Sequence, residues 1–142
     1  MKKLIVVRHG EDGAFGALSQ NGFEQIQALA KKLNEIVNGL SVFVFTSPTL
    51  RTKETAKIIS KTLNTEYKVE ECLEHEEDFA DSLKLVRSRV EDVVILVTHL
   101  EYTEWFPSYF AKENMGIYLK SYGIDKGRAW IVDCENKTIE LL

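Results

Sequence analysis

Residues 4–10 read Leu-Ile-Val-Val-Arg-His-Gly, an unbroken aliphatic run that ends in an arginine, a histidine and a glycine. A run without alternation of apolar and polar residues is typical of a parallel strand that is buried on both faces. Residues 42–45 and 93–97 form two more such runs. The sequence therefore predicts at least three buried parallel strands, and the first of them leads directly into Arg8 and His9.

Between these runs the apolar residues change to a spacing of three and four, which is typical of amphipathic helices. The spacing predicts helices over residues 23–37, 55–63 and 79–90. Asn21, with Glu24 three residues later, resembles a capping box at the start of the first helix. Ser47, followed by Pro48, predicts the N-cap of the second helix.

The C-terminal third of the chain contains aromatic residues at helical spacing between positions 102 and 110. Pro107 interrupts them, so two short helices are predicted there. We expect the aromatic side chains in the core, with the mouth of a pocket as the alternative. A short strand is predicted at residues 67–69, and two closing strands at 129–132 and 138–142.

The alternation of strands and helices predicts the architecture. It indicates a three-layer α/β/α sandwich on a mostly parallel sheet, with right-handed crossovers. No linker, internal repeat or low-complexity tract divides the chain, so residues 1–142 are predicted to form one domain. With 44% hydrophobic residues, the chain is expected to build its core without disulfides or structural metal ions.

The charge balance and the apolar runs exclude several classes of protein. The chain has 18 Lys and Arg against 22 Asp and Glu, a formal charge of −4, which argues against a nucleic-acid partner. The apolar runs are far shorter than the roughly 18 residues of a membrane-spanning helix, so no membrane partner is expected. The N-terminal run is also too short for a signal peptide, which predicts a cytoplasmic protein.

The carboxyl ends of parallel strands are where such sheets bind ligands, and basic residues collect there in this sequence. Arg8 and His9 follow the first strand, Arg51 lies one helical turn beyond the second, and His99 follows the third. Taken singly, each has an ordinary structural explanation as a solvated arginine or a hydrogen-bonded histidine. Four such groups at one edge would repel one another unless an anion lay between them. The predicted ligand is phosphate-sized, because arginine's planar fork suits phosphate oxygens.

Four sequence motifs occur in order along the first hundred residues. They are Val-Arg-His-Gly at 7–10, Leu-Ser-Gln-Asn-Gly-Phe-Glu-Gln at 18–25, Thr-Ser-Pro-Thr-Leu-Arg-Thr-Lys-Glu-Thr-Ala at 46–56 and Val-Thr-His at 97–99. In type, order and spacing they resemble the motifs of the histidine phosphatase superfamily, the broad family that includes the phosphoglycerate mutases. The resemblance implies a phosphoglycerate mutase-like fold and a phosphatase activity.

The resemblance also implies a role for each basic residue. His9 is the implied nucleophile, which forms a phosphohistidine that water then hydrolyses. Arg8 and Arg51 are implied to hold the phosphoryl oxygens, with His99 as a further donor to the charge of the transition state. Because the arginines supply positive charge, neither a metal ion nor another cofactor is expected. Positive neighbours favour the neutral form of His9, and a backbone carbonyl near Gly10 is expected to hold the proton on its other ring nitrogen.

Two departures from the larger members of that family concern the leaving group. The acidic stretch after Arg51 is reduced to residues 72–77, where Glu74 is the first candidate for a general acid and Glu76 the second. Asp12 is the third candidate. The stretch between Arg51 and His99 is also too short to form a sizeable helical lid. Both departures resemble the short phosphohistidine phosphatases, whose imidazole leaving group departs more easily than an alkoxide.

The sequence as a whole predicts a metal-independent phosphatase with a phosphohistidine intermediate, acting on phosphohistidine or on another phosphoprotein. Within the family, the alternative is a phosphomonoesterase or mutase for a small phosphorylated metabolite. The alternative of another class is an inactive phosphate-binding protein, which a generic aryl phosphate would distinguish because such a protein would not turn it over.

Overall fold

The computed structural model describes residues 1–142, the whole of the sequence given. Its six strands and four helices follow one another as β1 (Lys3–Arg8), α1 (Gln20–Ile36), β2 (Val42–Thr46), α2 (Leu50–Thr62), β3 (Tyr67–Val69), α3 (Phe79–Arg87), β4 (Val93–Thr98), α4 (Leu100–Phe110), β5 (Ala129–Asp133) and β6 (Thr138–Leu141). None of the helices combines the length and the apolar character needed to cross a membrane.

All six strands belong to one sheet, in the order β3-β2-β4-β1-β5-β6. The four strands β3, β2, β4 and β1 are parallel to one another, whereas β5 and β6 run antiparallel as the closing strands. The predicted α/β architecture on a mostly parallel sheet is therefore confirmed. The short strand β3 and the two closing strands also lie where their patterns indicated.

The sheet separates two apolar clusters, because successive side chains of a strand point to opposite faces. Ile5 and Val7 of β1 pack with residues of α1 and α2 on one face. Leu4 and Val6 pack with residues of α3 and α4 on the other. All four side chains are fully buried, which explains why the strand is an unbroken aliphatic run.

Two helix starts differ from those predicted. The N-cap of α1 is Ser19, whose hydroxyl accepts from the backbone of Gly22, rather than Asn21. The N-cap of α2 is Thr49 rather than Ser47. In each case the chain offers two polar residues near the helix start, and the one with extended backbone directly before the first turn caps the helix.

The third helix also ends earlier than its apolar spacing predicted. It ends at Arg87, so Val90 lies beyond it and is 94% exposed. The apolar spacing of residues 79–90 extends past the end of the helix, and its last residue, Val90, lies in the connection that leads to β4. There its side chain is exposed to solvent instead of packing in the core.

The prediction of two short helices around Pro107 is wrong, because α4 continues through the proline. Proline cannot donate a backbone hydrogen bond and disturbs the turn before it. The buried hydroxyl of Ser121 repairs that turn from outside the helix: it donates to the Glu104 carbonyl at 2.7 Å and accepts from the Ser108 amide at 3.3 Å. Glu104 and Ser108 are the two residues that a regular helix would have joined directly.

The aromatic residues of α4 are mainly core, as predicted. Tyr102, Phe106 and Phe110 are fully buried, and Phe79 from α3 packs edge-on against the first two. Trp105 is 53% exposed on the outer side of the helix. None of these side chains lines the pocket at the end of the parallel strands.

We predict that Ser121→Ala destabilises the protein by about 1–3 kcal/mol, because it leaves buried backbone groups of Glu104 and Ser108 without partners. The loss should be smaller in a Pro107→Ala background, where the helix can form its own hydrogen bonds. Urea unfolding of the four proteins in this double-mutant cycle measures the difference. An equal loss in both backgrounds would contradict the repair of the proline turn by Ser121.

Candidate active site

A pocket of about 350 Å³ lies at the carboxyl ends of β1, β2 and β4. The parallel register brings these ends side by side, because Arg8 pairs with Thr98 and Thr46 pairs with Val97. The pocket is lined by Arg8, His9, Thr49, Arg51, Glu74, His99, Leu100 and Glu101. The four basic residues singled out from the sequence thus surround one opening, together with two carboxylates.

The His9 side chain is only 4% exposed and its orientation is determined by the backbone. Its Nδ1 lies 2.8 Å from the carbonyl oxygen of Gly10. A carbonyl can only accept, so the hydrogen is on Nδ1 and the lone pair is on Nε2. Arg51 Nε donates to this Nε2 at 3.2 Å. His9 is therefore arranged as a neutral imidazole with its basic nitrogen toward the second arginine.

The electrostatic surroundings favour the same neutral form. Burial lowers the pKa of His9 below its usual value, and the positive charges of Arg51 and Arg8 lower it further. The Gly10 carbonyl and the Asp12 carboxylate oppose this shift without reversing it. At neutral pH the imidazole is therefore uncharged and keeps a lone pair on Nε2.

Helix α1 holds the backbone directly after His9 through three residues of the 18–25 motif. Ser19 Oγ donates to the Glu11 carbonyl at 3.2 Å, and Gln25 Oε1 accepts from the Glu11 amide at 2.9 Å. A Cβ atom at Gly22 would overlap the Glu11 carbonyl oxygen. The motif therefore clamps Glu11 between two side chains and a close helix–loop contact that only glycine permits.

Helix α2 holds the same loop from the other side. Thr55 Oγ1 accepts from the Gly10 amide at 3.1 Å and donates to the Arg51 carbonyl at 2.8 Å. The Thr55 hydroxyl thus connects the backbone of Gly10, directly after His9, with the backbone of Arg51. The relative positions of His9 and Arg51 depend on this buried contact.

The Arg8 guanidinium is held at the pocket by one hydrogen bond, and its other N–H groups have no partner in the protein. Its Nη1 donates to the Ile124 carbonyl at 2.9 Å, while its buried Nε has no partner in the protein. A buried donor without a partner is costly. Because Arg8 also lines the pocket, its positive charge can attract an anion of phosphate size there.

His99 is positioned by a network of hydroxyl groups. Its Nε2 lies 2.8 Å from the hydroxyl of Ser47, which in turn lies 2.9 Å from that of Thr52. Burial lowers the pKa of His99 to about 4, helped by the charge that His9 gains when it is protonated at acidic pH and by the charge of Arg51. Ser47, predicted as a helix cap, instead orients the second histidine.

The three candidates for a general acid occupy different places. Glu74 lines the pocket, and the neighbouring carbonyl of Leu73 accepts from Thr98 at 2.6 Å, which ties this segment to the end of β4. Glu76 is exposed and lies outside this pocket. Asp12 pairs with Lys126 at 2.8 Å, and this hydrogen bond lowers the pKa of the Asp12 carboxyl. An ionised, paired Asp12 is poorly suited to donate a proton, so the geometry favours Glu74.

The pocket also contains residues that the sequence analysis missed. Glu101 lies two residues after His99, in the first turn of α4, and Thr49 caps α2 beside Arg51. Each lies two residues from a predicted site residue, and this closeness in sequence could have identified both. No group of three or more His, Cys, Asp or Glu side chains is arranged to hold a metal ion.

Comparison with protein families gives a match over more than half of the chain. The model of the Histidine phosphatase superfamily (branch 1) matches residues 4–82. This segment contains Arg8, His9, Arg51 and Glu74 and ends before β4. No sequence among the curated proteins matches the chain.

Several solved structures share the fold. The mycobacterial glucosyl-3-phosphoglycerate phosphatase in complex with VO3 has a TM-score of 0.73 at 15% identity, covering 99% of this chain and 97% of that one. The protein histidine phosphatase SixA complexed with tungstate has a TM-score of 0.71 at 17% identity, covering 99% and 94%. The phosphoglycerate mutase from Plasmodium falciparum has a TM-score of 0.66 at 22% identity, covering 99% and 88%. At these identities the likeness shows the fold.

We predict that Gly22→Ala lowers both stability and activity, because the added Cβ forces α1 away from Glu11 and so moves the loop that orients His9. Gly13→Ala is the matched control, since its Cβ would meet only an ordinary contact with Ser19 at 3.4 Å. Thermal unfolding and turnover of an aryl phosphate measure the two effects. Wild-type behaviour of Gly22→Ala would show that the close contact is dispensable.

We also predict that stability falls as the pH is lowered from 6.5 toward 4. The pKa values of His9 and His99 are below those of the unfolded chain, so in this range the unfolded state binds more protons. His99→Gln should reduce the loss between pH 6.5 and 5, measured by urea unfolding at several pH values. Exposed His75→Gln is the control. An unchanged pH slope in His99→Gln would contradict the lowered pKa.

Proposed function

Because this chain belongs to the histidine phosphatase superfamily, we propose that His9 carries the phosphoryl group in its phosphatase reaction. The family assignment confirms the resemblance seen in the four motifs, and with it the general class of the enzyme. The proposed substrate is a phosphohistidine, or another phosphorylated residue, on a protein. The final acceptor of the phosphoryl group is water.

In the first step, the lone pair of His9 Nε2 forms a bond to phosphorus while the bond from phosphorus to the leaving atom breaks. The leaving nitrogen or oxygen keeps the electron pair of that bond and takes up a proton. The hydrogen stays on Nδ1, which donates it to the Gly10 carbonyl oxygen 2.8 Å away. This hydrogen bond stabilises the positive charge that develops on the ring.

In the second step, a water oxygen attacks the phosphorus of the phosphohistidine. The nitrogen–phosphorus bond breaks, its electron pair returns to Nε2, and the water gives up a proton. The products are inorganic phosphate and neutral His9, ready for another cycle. The lowered pKa of His9 favours this neutral form at the end of the reaction.

The positive charge around the pocket would stabilise the transition state of both steps. The phosphoryl oxygens would take hydrogen bonds from the free donors of Arg8 and from Arg51, which now donates to His9 Nε2. His99 would supply a further donor if Ser47 donates to its Nε2, because the single ring hydrogen is then on Nδ1. Since these side chains provide the required charge, the proposed mechanism uses neither a metal ion nor another cofactor.

Glu74 is the proposed proton donor to leaving groups that need one. An imidazole needs less assistance than a sugar alkoxide. Between Arg51 and His99 the chain contains α2, β3, two single helical turns, the nine-residue α3 and β4. From this segment only Arg51 and Glu74 line the pocket, and the lack of room for a large helical insertion supports a substrate residue presented by another protein. The cytoplasm is the proposed location.

The single observation that carries the proposal is the orientation of His9. Its Nδ1 is held by the Gly10 carbonyl, and its Nε2 is beside Arg51 in a pocket with Arg8 and His99. Two of the solved structures with this fold, SixA and the mycobacterial phosphatase, hold the oxyanions tungstate and VO3. They support an anion of phosphate size in the corresponding pocket here.

We predict that rapid quenching with labelled phosphohistidine protein traps phosphate on the enzyme in an acid-labile, alkali-stable form. His9→Ala should lose both this label and turnover, because it has no nucleophile. His75→Ala should keep the label, which identifies the labelled histidine. Arg51→Ala should lower turnover by ~10²–10³, as expected for the loss of one preorganised donor.

Three results would change the proposal. Wild-type turnover in His9→Ala would refute the covalent mechanism. Inhibition by a chelator that is reversed by zinc or magnesium would assign His9 and His99 to a metal instead. A higher kcat/KM for 3-phosphoglycerate than for phosphohistidine protein would replace the protein substrate by a metabolite.

A further inference from the structure

A second pocket, of about 320 Å³, adjoins the pocket that contains Arg8 and Arg51, which we call the phosphate pocket after its proposed ligand. The second pocket is acidic. Its lining consists of Glu74, His75, Glu76, Glu77 and Glu101. Glu74 and Glu101 line both pockets, so the two form one continuous opening. We call the second part the acidic pocket. It contains no lysine, no arginine and no hydrophobic residue.

The four carboxylates of the acidic pocket have no partner in the protein. The salt bridges of the chain are formed by Asp133, Glu70, Glu91 and Asp12, and no hydrogen bond reaches the side chains of Glu74, Glu76, Glu77 or Glu101. Four unpaired negative charges around one opening repel one another. A positively charged group that enters the pocket would relieve this repulsion.

The segment that carries three of these glutamates is held in place by buried hydrogen bonds. The Cys72 carbonyl accepts from the hydroxyls of Ser82 and Tyr102. The Leu73 carbonyl accepts from Thr98, at the end of β4, and the Leu73 side chain is fully buried. These contacts fix the backbone directly before Glu74, so the carboxylates of this segment stay at the opening.

The phosphate pocket determines which end of a substrate meets the acidic pocket. Arg8, whose buried Nε lacks a partner, and Arg51 attract the phosphoryl group. The rest of the bound substrate must then extend out of the phosphate pocket along its walls. Glu74 and Glu101 are the acidic part of those walls. A substrate that fits both pockets is negative at the phosphoryl group and positive beside it.

We propose that the acidic pocket selects phosphorylated peptide segments that carry lysine or arginine beside the phosphorylated residue, with Glu101 as a specificity-determining residue. This inference rests on the proposed phosphatase function and names its substrate more narrowly. A peptide segment fits better than a small phosphorylated amine, because four carboxylates exceed the charge of one ammonium group. Exposed Glu76 and Glu77 lie at the outer side, where neighbouring residues of a peptide would pass.

The same charges act against anionic substrates. A carboxylate beside the phosphoryl group, as in 3-phosphoglycerate or an acidic peptide, would meet Glu74 and Glu101 at the pocket wall and be repelled. Because Glu101 is exposed, the effect of each charge is moderate, ~2- to 5-fold in KM. It is also screened by salt, since the Debye length is only ~10 Å at 0.1 M.

The experiment compares two phosphohistidine peptides that differ only in their neighbours, lysine in one and glutamate in the other. The wild-type protein should have the lower KM for the lysine peptide, and the preference should shrink as salt is raised. Glu77→Gln together with Glu101→Gln should remove most of the preference, mainly by lowering the KM of the glutamate peptide and raising that of the lysine peptide. Glu140→Gln is the matched control, because Glu140 is an exposed, unpaired carboxylate on the edge strand β6.

Each other outcome has a defined meaning. Equal KM values for the two peptides, or a preference that survives the double substitution, would overturn the charge selection. Turnover of nitrophenyl phosphate without turnover of either peptide would overturn the peptide substrate and leave the phosphatase function standing. Better turnover of phosphoethanolamine than of the lysine peptide would assign the acidic pocket to a small amine. No turnover of any of these compounds would overturn the proposed function as well.

Discussion

The hydrogen bond from His9 Nδ1 to the Gly10 carbonyl is the interaction on which the active site depends. It exposes the basic nitrogen of a neutral imidazole, and it works only if the backbone after His9 stays in one position. Two helices provide that restraint, α1 through the contacts around Glu11 and α2 through Thr55. The packing of the first helical layer against the sheet is therefore also the means by which His9 is oriented.

The parallel sheet contributes the second requirement, which is proximity. The ends of β1, β2 and β4 lie next to one another, so residues far apart in sequence meet in one pocket. Burial there lowers the pKa values of both histidines, and the arginines add to this shift. The segment after β3 adds carboxylates to the same opening. The result is a pocket with two arginines beside an acidic pocket, and the two share Glu74 and Glu101.

Two departures from the sequence-based predictions share one cause, which is contact between residues distant in sequence. Ser47 has the local pattern of a helix cap, but the strand order places its hydroxyl next to His99. Pro107 has the local pattern of a helix break, but Ser121 restores the interrupted turn from another segment. Local patterns report what the neighbouring backbone prefers, and a tertiary hydrogen bond can satisfy a polar group in another way.

The sequence by itself determined the class of fold, the order of the strands along the chain and the four basic residues at the strand ends. These follow from local properties: aliphatic runs make buried strands, and the topology brings their carboxyl ends to one edge. Only the tertiary structure decided that Arg51 meets Nε2 of His9, which carboxylates line the pocket and that an acidic pocket adjoins it. Those features depend on distances of a few ångströms between separate segments, because hydrogen bonds and charge interactions act between neighbours in space.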